Sequence, residues 1–126
     1  MNKIKVMIVD DSAVVRQVLT SYLEASKEVE IIGAASDPIF AIEKMQKEWP
    51  DVIILDVEMP RMDGFELVRN IRGDSRTANI PLLIISSRTA EKHRSLAREL
   101  GVNAYLGKPV QDDELLAQVK ALLDAH

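Results

Sequence analysis

The sequence of 126 residues predicts an α/β domain in which helices cover both faces of a five-stranded parallel sheet. Three observations support this fold class. Segments with the pattern of strands alternate with segments with the pattern of helices along the whole chain. The strand-like segments are short apolar runs rich in β-branched residues, as is typical of strands buried on both faces. Right-handed connections between parallel strands restrict the topology to a few doubly wound orders.

The first half of the chain contains two predicted strands, at Ile4–Val9 and Val29–Ala34. Asp11 and Ser12 supply capping side chains for a helix after the first strand, in which apolar residues recur at helical spacing. After the second strand, Asp37 and Pro38 form the pattern of a helix N-cap followed by proline at the first helical position.

The second half contains three predicted strands, at Val52–Leu55, Leu82–Ile85 and Asn103–Leu106. Asp63 predicts the start of a helix, with Glu66 three residues on in the pattern of a capping box, and Gly73 marks its end. The fourth helix ends at Gly101, which has the position of a C′ glycine. The last helix begins near Gln111, with acidic residues at its positive end.

Length and composition indicate one globular domain spanning residues 1–126, with 47% hydrophobic and 29% charged residues. Because the chain has no cysteine, we expect no disulfides and no thiolate metal site, which fits the cytoplasm. The net charge of -4 and the scattered basic residues argue against nucleic acid as a direct ligand. The sequence has no pattern of a signal peptide or a membrane-spanning helix, so no membrane association is expected.

Charged and hydroxyl side chains follow four of the predicted strands at their carboxyl ends. Asp10 and Asp11 follow the first strand, and Asp56 follows the third. Ser86 follows the fourth strand, and Lys108 comes just after the fifth. In doubly wound folds, ligands bind beyond the carboxyl ends of the strands. We therefore expect these five residues to converge on one site.

Clustered carboxylates repel one another and raise one another's pKa values. A divalent cation relieves this repulsion, and ligation by oxygen alone favours Mg²⁺ or Mn²⁺ over Zn²⁺. A carboxylate beside such a cation can attack a phosphoryl group and form an acyl phosphate. Lys108 would then pair with the new negative charge, and the Ser86 hydroxyl would donate a hydrogen bond to it.

Each of these residues also has a purely structural explanation. An aspartate after a strand, such as Asp11, commonly caps a helix or forms a turn. Ser86 alone is typical of a turn hydroxyl, and Lys108 alone of a solvated surface charge. Asp56 is harder to explain in this way, because aspartate is depleted in strands and this one follows four apolar residues. Their combination at one end of the sheet favours a functional site.

At these positions the sequence resembles the response regulator receiver family over essentially its full length. The matching motifs are Val9-Asp10-Asp11-Ser12, Leu55-Asp56-Val57-Glu58-Met59-Pro60-Arg61-Met62-Asp63-Gly64, Ile84-Ile85-Ser86-Ser87 and Gly107-Lys108-Pro109. The resemblance implies a flavodoxin-like fold with strand order 2-1-3-4-5 and five helices. It also implies a phosphoacceptor switch that catalyses its own phosphorylation and dephosphorylation. We expect no methylesterase activity from residues 1–126, because the predicted receiver elements account for all of them.

The resemblance assigns a role to each residue of the site. Asp56 accepts a phosphoryl group from a phosphohistidine on a histidine kinase or phosphotransfer domain. The Mg²⁺ ligands it implies are Asp10, Asp11, Asp56 and the backbone carbonyl of Glu58. Ser86 is the switch hydroxyl, Lys108 contacts the phosphate, and the Lys108–Pro109 peptide bond is cis.

Tyr105 matches the aromatic switch position of the family. The resemblance implies that its ring rotates into space vacated by Ser86 after phosphorylation. This movement reshapes the face formed by the fourth helix, the fifth strand and the last helix, where a downstream target protein binds. The alternative for Tyr105 is an amphipathic surface tyrosine in a strand.

Two residues stand at positions that vary in the family and line the approach to the phosphate. Glu58 and Arg88 have opposite charges and could pair across the site, which would hinder an attacking water molecule. We predict that the phosphorylated chain loses its phosphate more slowly than a variant carrying Glu58→Asn and Arg88→Ala together.

The motifs differ in the subfamily that they resemble. Residues 9–64 are most similar to the receiver of the chemotaxis methylesterases. Residues 96–123 are more similar to stand-alone chemotaxis regulators or to receivers in hybrid kinases. This difference is compatible with an excised domain, a stand-alone regulator or a chain that joins parts of two receivers, and it favours chemotaxis-type signalling.

Four other functions are weighed against this one. A phosphatase of the haloacid dehalogenase type needs a second aspartate and a threonine where this chain has Glu58 and Pro60. A flavin mononucleotide site needs a Ser/Thr/Gly-rich loop, which Asp10 and Asp11 replace. A receiver that serves only as an interaction module normally lacks one of the acidic residues or Lys108. A helix-turn-helix transcription factor would need residues that these elements leave no room for.

Overall fold

The structure is a computed structural model that describes residues 3–10, 13–35, 43–45, 47–56, 64–75, 77–86, 91–107 and 110–124. Strands and helices alternate through these residues. The strands are β1 (Ile4–Val9), β2 (Val29–Ala35), β3 (Val52–Asp56), β4 (Leu82–Ser86) and β5 (Ala104–Gly107). The helices are α1 (Ala13–Glu24), α2 (residues 43–45 of it), α3 (Gly64–Gly73), α4 (Glu91–Glu99) and α5 (Asp112–Asp124).

The predicted strands are confirmed, with small changes at their ends. β1 has the predicted bounds, whereas β2, β3 and β4 each extend one residue further than predicted, and β5 lies one residue later. For β3 and β4 the extra residues are Asp56 and Ser86, so both functional candidates belong to the strands themselves. The patterns missed this because polar residues are depleted in strands. The predicted start of α2 at Asp37 and Pro38 lies outside the described residues.

The five strands form one parallel sheet in the order β2-β1-β3-β4-β5. This order confirms the predicted doubly wound, flavodoxin-like fold. The chain leaves β1 in one direction to reach β2 and then crosses β1 to reach β3. The resulting switch point lies between β1 and β3, where Val9 pairs with Leu55.

The two faces of the sheet bury two separate apolar clusters. Alternate residues of each strand belong to opposite clusters, as the pleat requires. One cluster joins the sheet to the helices α2, α3 and α4 and consists of Met7, Val9, Met45, Ile53, Leu55, Val68, Ile71, Leu82, Ile84, Ala97 and Val102. The other joins it to α1 and α5 and consists of Val6, Ile8, Leu19, Leu23, Val29, Val52, Ile54, Leu83, Ile85, Leu106, Leu115, Val119 and Leu122.

Burial in these clusters explains why the strands read as continuous apolar runs. Burying one Leu, Ile or Val side chain contributes about 1.5–3 kcal/mol relative to leaving it exposed. β4 illustrates the pattern, because each of its residues from Leu82 to Ser86 is buried. No helix in the described part of the chain is long and apolar enough to cross a membrane.

A half-buried arginine ties together the turns that precede β4 and β5. Arg72 lies in the last turn of α3. Its guanidinium donates hydrogen bonds of 2.7 to 3.0 Å to the backbone carbonyls of Ala78, Ile80 and Gly101 and to Asn103 Oδ1. Burial lowers the pKa of this guanidinium from its usual value. The bonds nevertheless replace the water that the charged group loses on burial.

The same asparagine starts the ladder between β4 and β5. Asn103 Oδ1 accepts a hydrogen bond of 2.9 Å from the backbone N–H of Leu82, and the Asn103 N–H donates one of 3.0 Å to the Leu82 carbonyl. Arg72 therefore positions the two strands from their amino ends. We call the set of Arg72, Gly101, Asn103 and the turn residues Ala78 and Ile80 the arginine clamp.

Gly101 ends α4 as the sequence predicts. Its φ of +96° lies in the left-handed region, which favours glycine. The Gly101 N–H donates to the Arg98 carbonyl and the Val102 N–H to the Ala97 carbonyl, which is the hydrogen-bond pattern of a Schellman motif. A Cβ atom at this position would lie 3.0 Å from Arg72 Nε. The glycine thus serves both the helix end and the arginine clamp.

Candidate functional site

The ends of β1 and β3 bring two aspartates side by side. Val9 is the register partner of Leu55, and Asp10 and Asp56 are the next residues of their chains. Neighbouring strands lie about 4.8 Å apart, so the two backbones are adjacent at this point. Asp56 is described here by its backbone alone, as the last residue of β3.

The ends of β4 and β5 continue this row. Asp56 is the register partner of Ile85, and Ser86 is the register partner of Gly107. Lys108 is the next residue after Gly107. The backbones of Asp10, Asp56 and Ser86 therefore follow one another across three adjacent strands at the carboxyl end of the sheet, as the sequence predicts.

Asp10 is a buried acidic residue, with 1% of its surface exposed. Its backbone carbonyl accepts a hydrogen bond of 2.6 Å from Arg16 Nη1. Its side-chain atom Oδ2 is buried and accepts no hydrogen bond from the described part of the chain, although Asp10 makes other interactions. Burial of a carboxylate is costly unless another group compensates its charge. This carboxylate is therefore suited to a cation.

Ser86 is fully buried and points into the cluster that α4 covers. It lies two residues after Ile84, which belongs to that cluster, and side chains two apart on a strand share a face. Ser86 is the last residue of β4. Its buried hydroxyl therefore lies at the end of the sheet, where a group bound there can reach it.

Tyr105 lies on the same face, one strand away. Its register partner on β4 is Ile84, and its half-buried ring packs against the apolar cluster under α4. Arg94 of α4 places its guanidinium carbon Cζ 5.0 Å from the centre of the ring. Tyr105 is therefore packed on one side and in contact with a cation. This half-buried placement fits both the predicted switch position and the alternative of an amphipathic surface tyrosine, so the switch role stays a prediction.

Several predicted site residues lie outside the described residues. They are Asp11, Glu58, Arg88, Lys108 and Pro109, and with them the expected cis peptide bond. Within the described residues no group of three or more side chains of the types that bind metals is found. The side chains of Asp11, Asp56 and Glu58 are not among those described, so the predicted Mg²⁺ ligand set stays a prediction.

The donor set that is described fits an oxygen-ligated cation. Asp10 contributes a buried carboxylate, and the adjacent register position holds a second aspartate, Asp56. Mg²⁺ requires hard oxygen ligands and keeps part of its water shell. The chain contains no cysteine, so no thiolate is present to favour a softer metal.

Three arginines contact residues in or next to the strands that carry the site, and none of them was identified from the sequence. Arg16 holds the backbone of Asp10, Arg72 holds the amino ends of β4 and β5, and Arg94 contacts Tyr105. Arg16 and Arg94 each lie on a helix next in sequence to the strand that they contact, whereas Arg72 of α3 also reaches Gly101 and Asn103, which precede β5. Helical spacing gives no signal for such long side chains, because they reach across to another element.

Comparison with known proteins agrees with this fold. Residues 6–120 match the family described as "Response regulator receiver domain". The chain is 44% identical, over an alignment of 135 positions, to protein-glutamate methylesterase/protein-glutamine glutaminase 2 of Hahella chejuensis, covering 98% of this chain and 36% of that protein. It is 54% identical over 109 positions to the corresponding protein 3 of Leptospira interrogans, covering 84% of this chain and 30% of that protein.

Solved structures give the same result. The chemotaxis response regulator CheY4 of Vibrio cholerae is 34% identical with a TM-score of 0.86, over 96% of this chain and 99% of that chain. The response regulator domain of Thermotoga maritima CheB is 29% identical with a TM-score of 0.86, over 98% of each chain.

The fold is that of a doubly wound α/β domain with acidic residues at the carboxyl end of its sheet. The chain belongs to the response regulator receiver family, as the match over residues 6–120 and the likeness to CheY4 show. It spans about a third of the length of the curated relatives that it matches.

Proposed function

We propose that Asp56 accepts a phosphoryl group from a phosphohistidine of a histidine kinase or phosphotransfer domain, in a Mg²⁺-dependent reaction. The observation that carries this proposal is the register of the strand ends. Asp56 is the neighbour of the buried Asp10 on one side and of Ile85, which precedes Ser86, on the other. The row combines an acidic pair, which can hold a cation and supply a nucleophile, with a hydroxyl that can donate a hydrogen bond to a phosphoryl oxygen.

The cation would be held by the residues that the family motifs assign. These are Asp10, Asp11, Asp56 and the backbone carbonyl of Glu58. When bound, Mg²⁺ would offset the repulsion among the carboxylates and the negative charge of the phosphoryl oxygens. Removal of Mg²⁺ by a chelator is therefore expected to prevent phosphorylation.

The chain's own residues would perform the transfer as follows. A carboxylate oxygen of Asp56 forms a bond to phosphorus while the phosphorus–nitrogen bond of the phosphohistidine breaks, and the electron pair of that bond stays on the imidazole. The Ser86 hydroxyl would donate a hydrogen bond to a phosphoryl oxygen, and the Lys108 ammonium would pair with the phosphoryl charge. Asp56 and Ser86 are the last residues of β3 and β4, and Lys108 is the next residue after β5 in the sequence. All three therefore belong to the carboxyl ends of strands of one sheet.

An apolar groove beside the strand ends supports docking of the phosphodonor. The groove has a volume of about 440 Å³ and lies between α1 and the segment that leads into α5. Its lining residues are Val14, Val15, Val18, Leu19, Tyr22, Ile85 and Val110. Val14 is 70% exposed and Val18 40%, which is unusual for residues of their type. A helix that carries the phosphohistidine next to apolar residues would cover them.

The output would pass through the face formed by α4, β5 and α5, where a downstream target protein would bind. Tyr105 would rotate toward Ser86 after phosphorylation and change this face. The similarity to chemotaxis methylesterases and to CheY4 favours chemotaxis-type signalling in the cytoplasm, without direct binding of nucleic acid or membrane. The whole of residues 1–126 would form this one domain.

The chain would act as a switch and not as an enzyme on another substrate. The methylesterase and glutaminase activities are named for relatives of which this chain spans about a third. Phosphorylation and loss of the phosphate would be the only reactions of the domain itself. A chain that retains the site without its native output partner would show the same chemistry.

The proposal is tested by incubating the protein with phosphoramidate and Mg²⁺ and measuring the intact mass. We expect a gain of one phosphoryl group in the parent and none in Asp56→Asn. A matched control is Asp51→Asn, an exposed aspartate next to the start of β3, which should gain the group like the parent. An unmodified parent, or a modified Asp56→Asn, would refute the proposal.

A further inference from the structure

The ring of Tyr105 and the guanidinium of Arg94 form a cation–π contact across the interface between β5 and α4. The distance of 5.0 Å from Arg94 Cζ to the ring centre lies within the range of about 6 Å for such contacts. Both side chains are half-buried, so neither is surrounded by bulk water. The contact is therefore stronger than one between two fully exposed side chains.

The contact lies on the face of the sheet that also carries Ser86. Tyr105 pairs with Ile84, Gly107 pairs with Ser86, and residues two apart on a strand share a face. Ser86 is therefore the diagonal neighbour of Tyr105 beneath α4. Any movement of the ring toward Ser86 takes it deeper under that helix.

The guanidinium cannot follow the ring in that direction. Apart from the hydroxyl of Ser86, the described residues buried beneath α4 are apolar, with Ile84 and Ala97 fully buried among them. Transfer of a charged group into such surroundings without an ionic partner is strongly unfavourable. A ring that moves inward therefore loses its contact with the cation, whereas a half-exposed ring keeps it.

We propose that Arg94 is a positioning residue for Tyr105, which holds the ring in its half-exposed position and so opposes the switch to the activated state. This inference rests on the proposed function of Asp56 and Tyr105. Arg94 then sets how much phosphorylation, or binding of a phosphate analogue, is needed to populate the switched state. Its contribution is expected to be about two- to fivefold in that equilibrium, as for a cation–π contact at a partly exposed site.

The test compares the binding of beryllofluoride, an analogue of the phosphoryl group, to variants of the full chain in the presence of Mg²⁺. The half-saturating concentration is followed through the backbone amide signal of Gly107 in NMR spectra. The variants are Arg94→Gln, Arg94→Lys, Tyr105→Leu and the double variant of Arg94→Gln with Tyr105→Leu. The matched control is Arg98→Gln, which removes the same charge from an exposed residue of α4 that donates to Ser95 at 3.2 Å.

We expect Arg94→Gln to lower the half-saturating concentration about two- to fivefold, whereas Arg98→Gln leaves it unchanged. Arg94→Lys keeps the cation and should restore part of the difference. In the Tyr105→Leu background, Arg94→Gln should have no further effect, because the ring that it contacts is gone. A contact that only stabilises the fold would change the unfolding midpoint and leave the half-saturating concentration of beryllofluoride unchanged.

Equal half-saturation of Arg94→Gln and Arg98→Gln would overturn the inference, and so would an Arg94→Gln effect that persists without Tyr105. If the parent binds beryllofluoride and gains a phosphoryl group by mass but shows no coupling between the two residues, only the role of Arg94 is wrong. If the parent does neither, the proposed function has failed, and the role of Arg94 fails with it.

Discussion

The two ends of the sheet are held in different ways. At the amino ends of β4 and β5, the arginine clamp matches one cation with oxygen acceptors at 2.7 to 3.0 Å. At the carboxyl ends, the buried carboxylate Asp10 follows Val9, and the register partner of Val9, Leu55, is followed by a second aspartate, Asp56. At the amino ends, the hydrogen bonds of the Arg72 cation are thus supplied by the chain itself. At the carboxyl ends, negatively charged residues lie next to one another.

This difference shows where the chain is arranged for stability and where it is arranged for function. Like charges at the carboxyl end destabilise the fold unless a cation offsets them. The arginine clamp fixes β4 and β5 at their opposite ends, so the strands that carry Ser86 and Tyr105 start from defined positions. We expect substitutions at the carboxyl end to change chemistry first, and substitutions in the clamp to change stability first.

The largest effect on function is expected for Asp10→Asn. This variant should lose Mg²⁺-dependent phosphorylation almost completely, because it removes a buried carboxylate that we propose as a Mg²⁺ ligand. In buffer without Mg²⁺ it should be more stable than the parent by about 1 kcal/mol, since less negative charge is clustered at the strand ends. Urea unfolding and intact mass after incubation with phosphoramidate measure the two effects. If Asp10→Asn is less stable than the parent and is still phosphorylated, the proposed difference between the two ends of the sheet is wrong.

The largest effect on stability is expected for Arg72→Met, which keeps the apolar stem but deletes the guanidinium. Loss of the clamp leaves several carbonyls without their donor and should lower the free energy of unfolding by about 3 kcal/mol. Arg69→Met, at an exposed position of the same helix, is the control and should change stability by about 0.5 kcal/mol or less. At a temperature where Arg72→Met is folded, phosphorylation should persist. Equal stability of the two variants would show that the clamp contributes nothing.

A smaller loss of stability is expected for Gly101→Ala. Alanine at a φ of +96° is strained, and its Cβ atom would stand 3.0 Å from Arg72 Nε. We expect a loss of about 1–2 kcal/mol in the free energy of unfolding. Gly73→Ala is a suitable control, because a Cβ atom there meets no atom within 4 Å. Thermal unfolding of both variants decides the matter, and similar midpoints would count against the clamp geometry.

The smallest effect is expected for the pair at the approach to the phosphate. The phosphate lifetime should become shorter when Glu58→Asn and Arg88→Ala are combined, by a factor of up to about five if the pair has the strength of a surface ion pair. Decay of the phosphorylated mass after removal of the phosphodonor gives the lifetime. Identical lifetimes in the parent and the double variant would refute the pairing of Glu58 with Arg88.

Most of the fold could be predicted from the sequence, because the strands share one feature: burial on both faces. Runs such as Ile4–Val9 are buried on both faces and therefore carry an uninterrupted apolar signal. The position of Gly101 at the end of α4 could also be predicted, because the residue after a helix often adopts a positive φ, which glycine adopts most easily. The strand ends at Asp56 and Ser86 were placed one residue early, since a polar residue in a strand contradicts the propensity that defines the strand.

The candidate site could be predicted only as far as it depends on strand ends. The positions of Asp10, Asp56 and Ser86 follow from the topology once the strands are known. The contacts of Arg16, Arg72 and Arg94 could not be predicted, because they join residues whose proximity arises only in the folded chain. Arg72, for example, reaches Asn103 across 31 positions of sequence. Long polar side chains leave no periodic trace in the sequence from which such a contact could be inferred.

The most direct test of the phosphoacceptor role locates the modified residue. Phosphorylated protein is reduced with sodium borohydride, which converts an acyl phosphate of aspartate to homoserine, and the peptides are sequenced by mass spectrometry. We expect homoserine at position 56, with Asp10, Asp11 and Asp51 unchanged. Homoserine at any other aspartate, or none in protein that has gained a phosphoryl group, would contradict the assignment of Asp56.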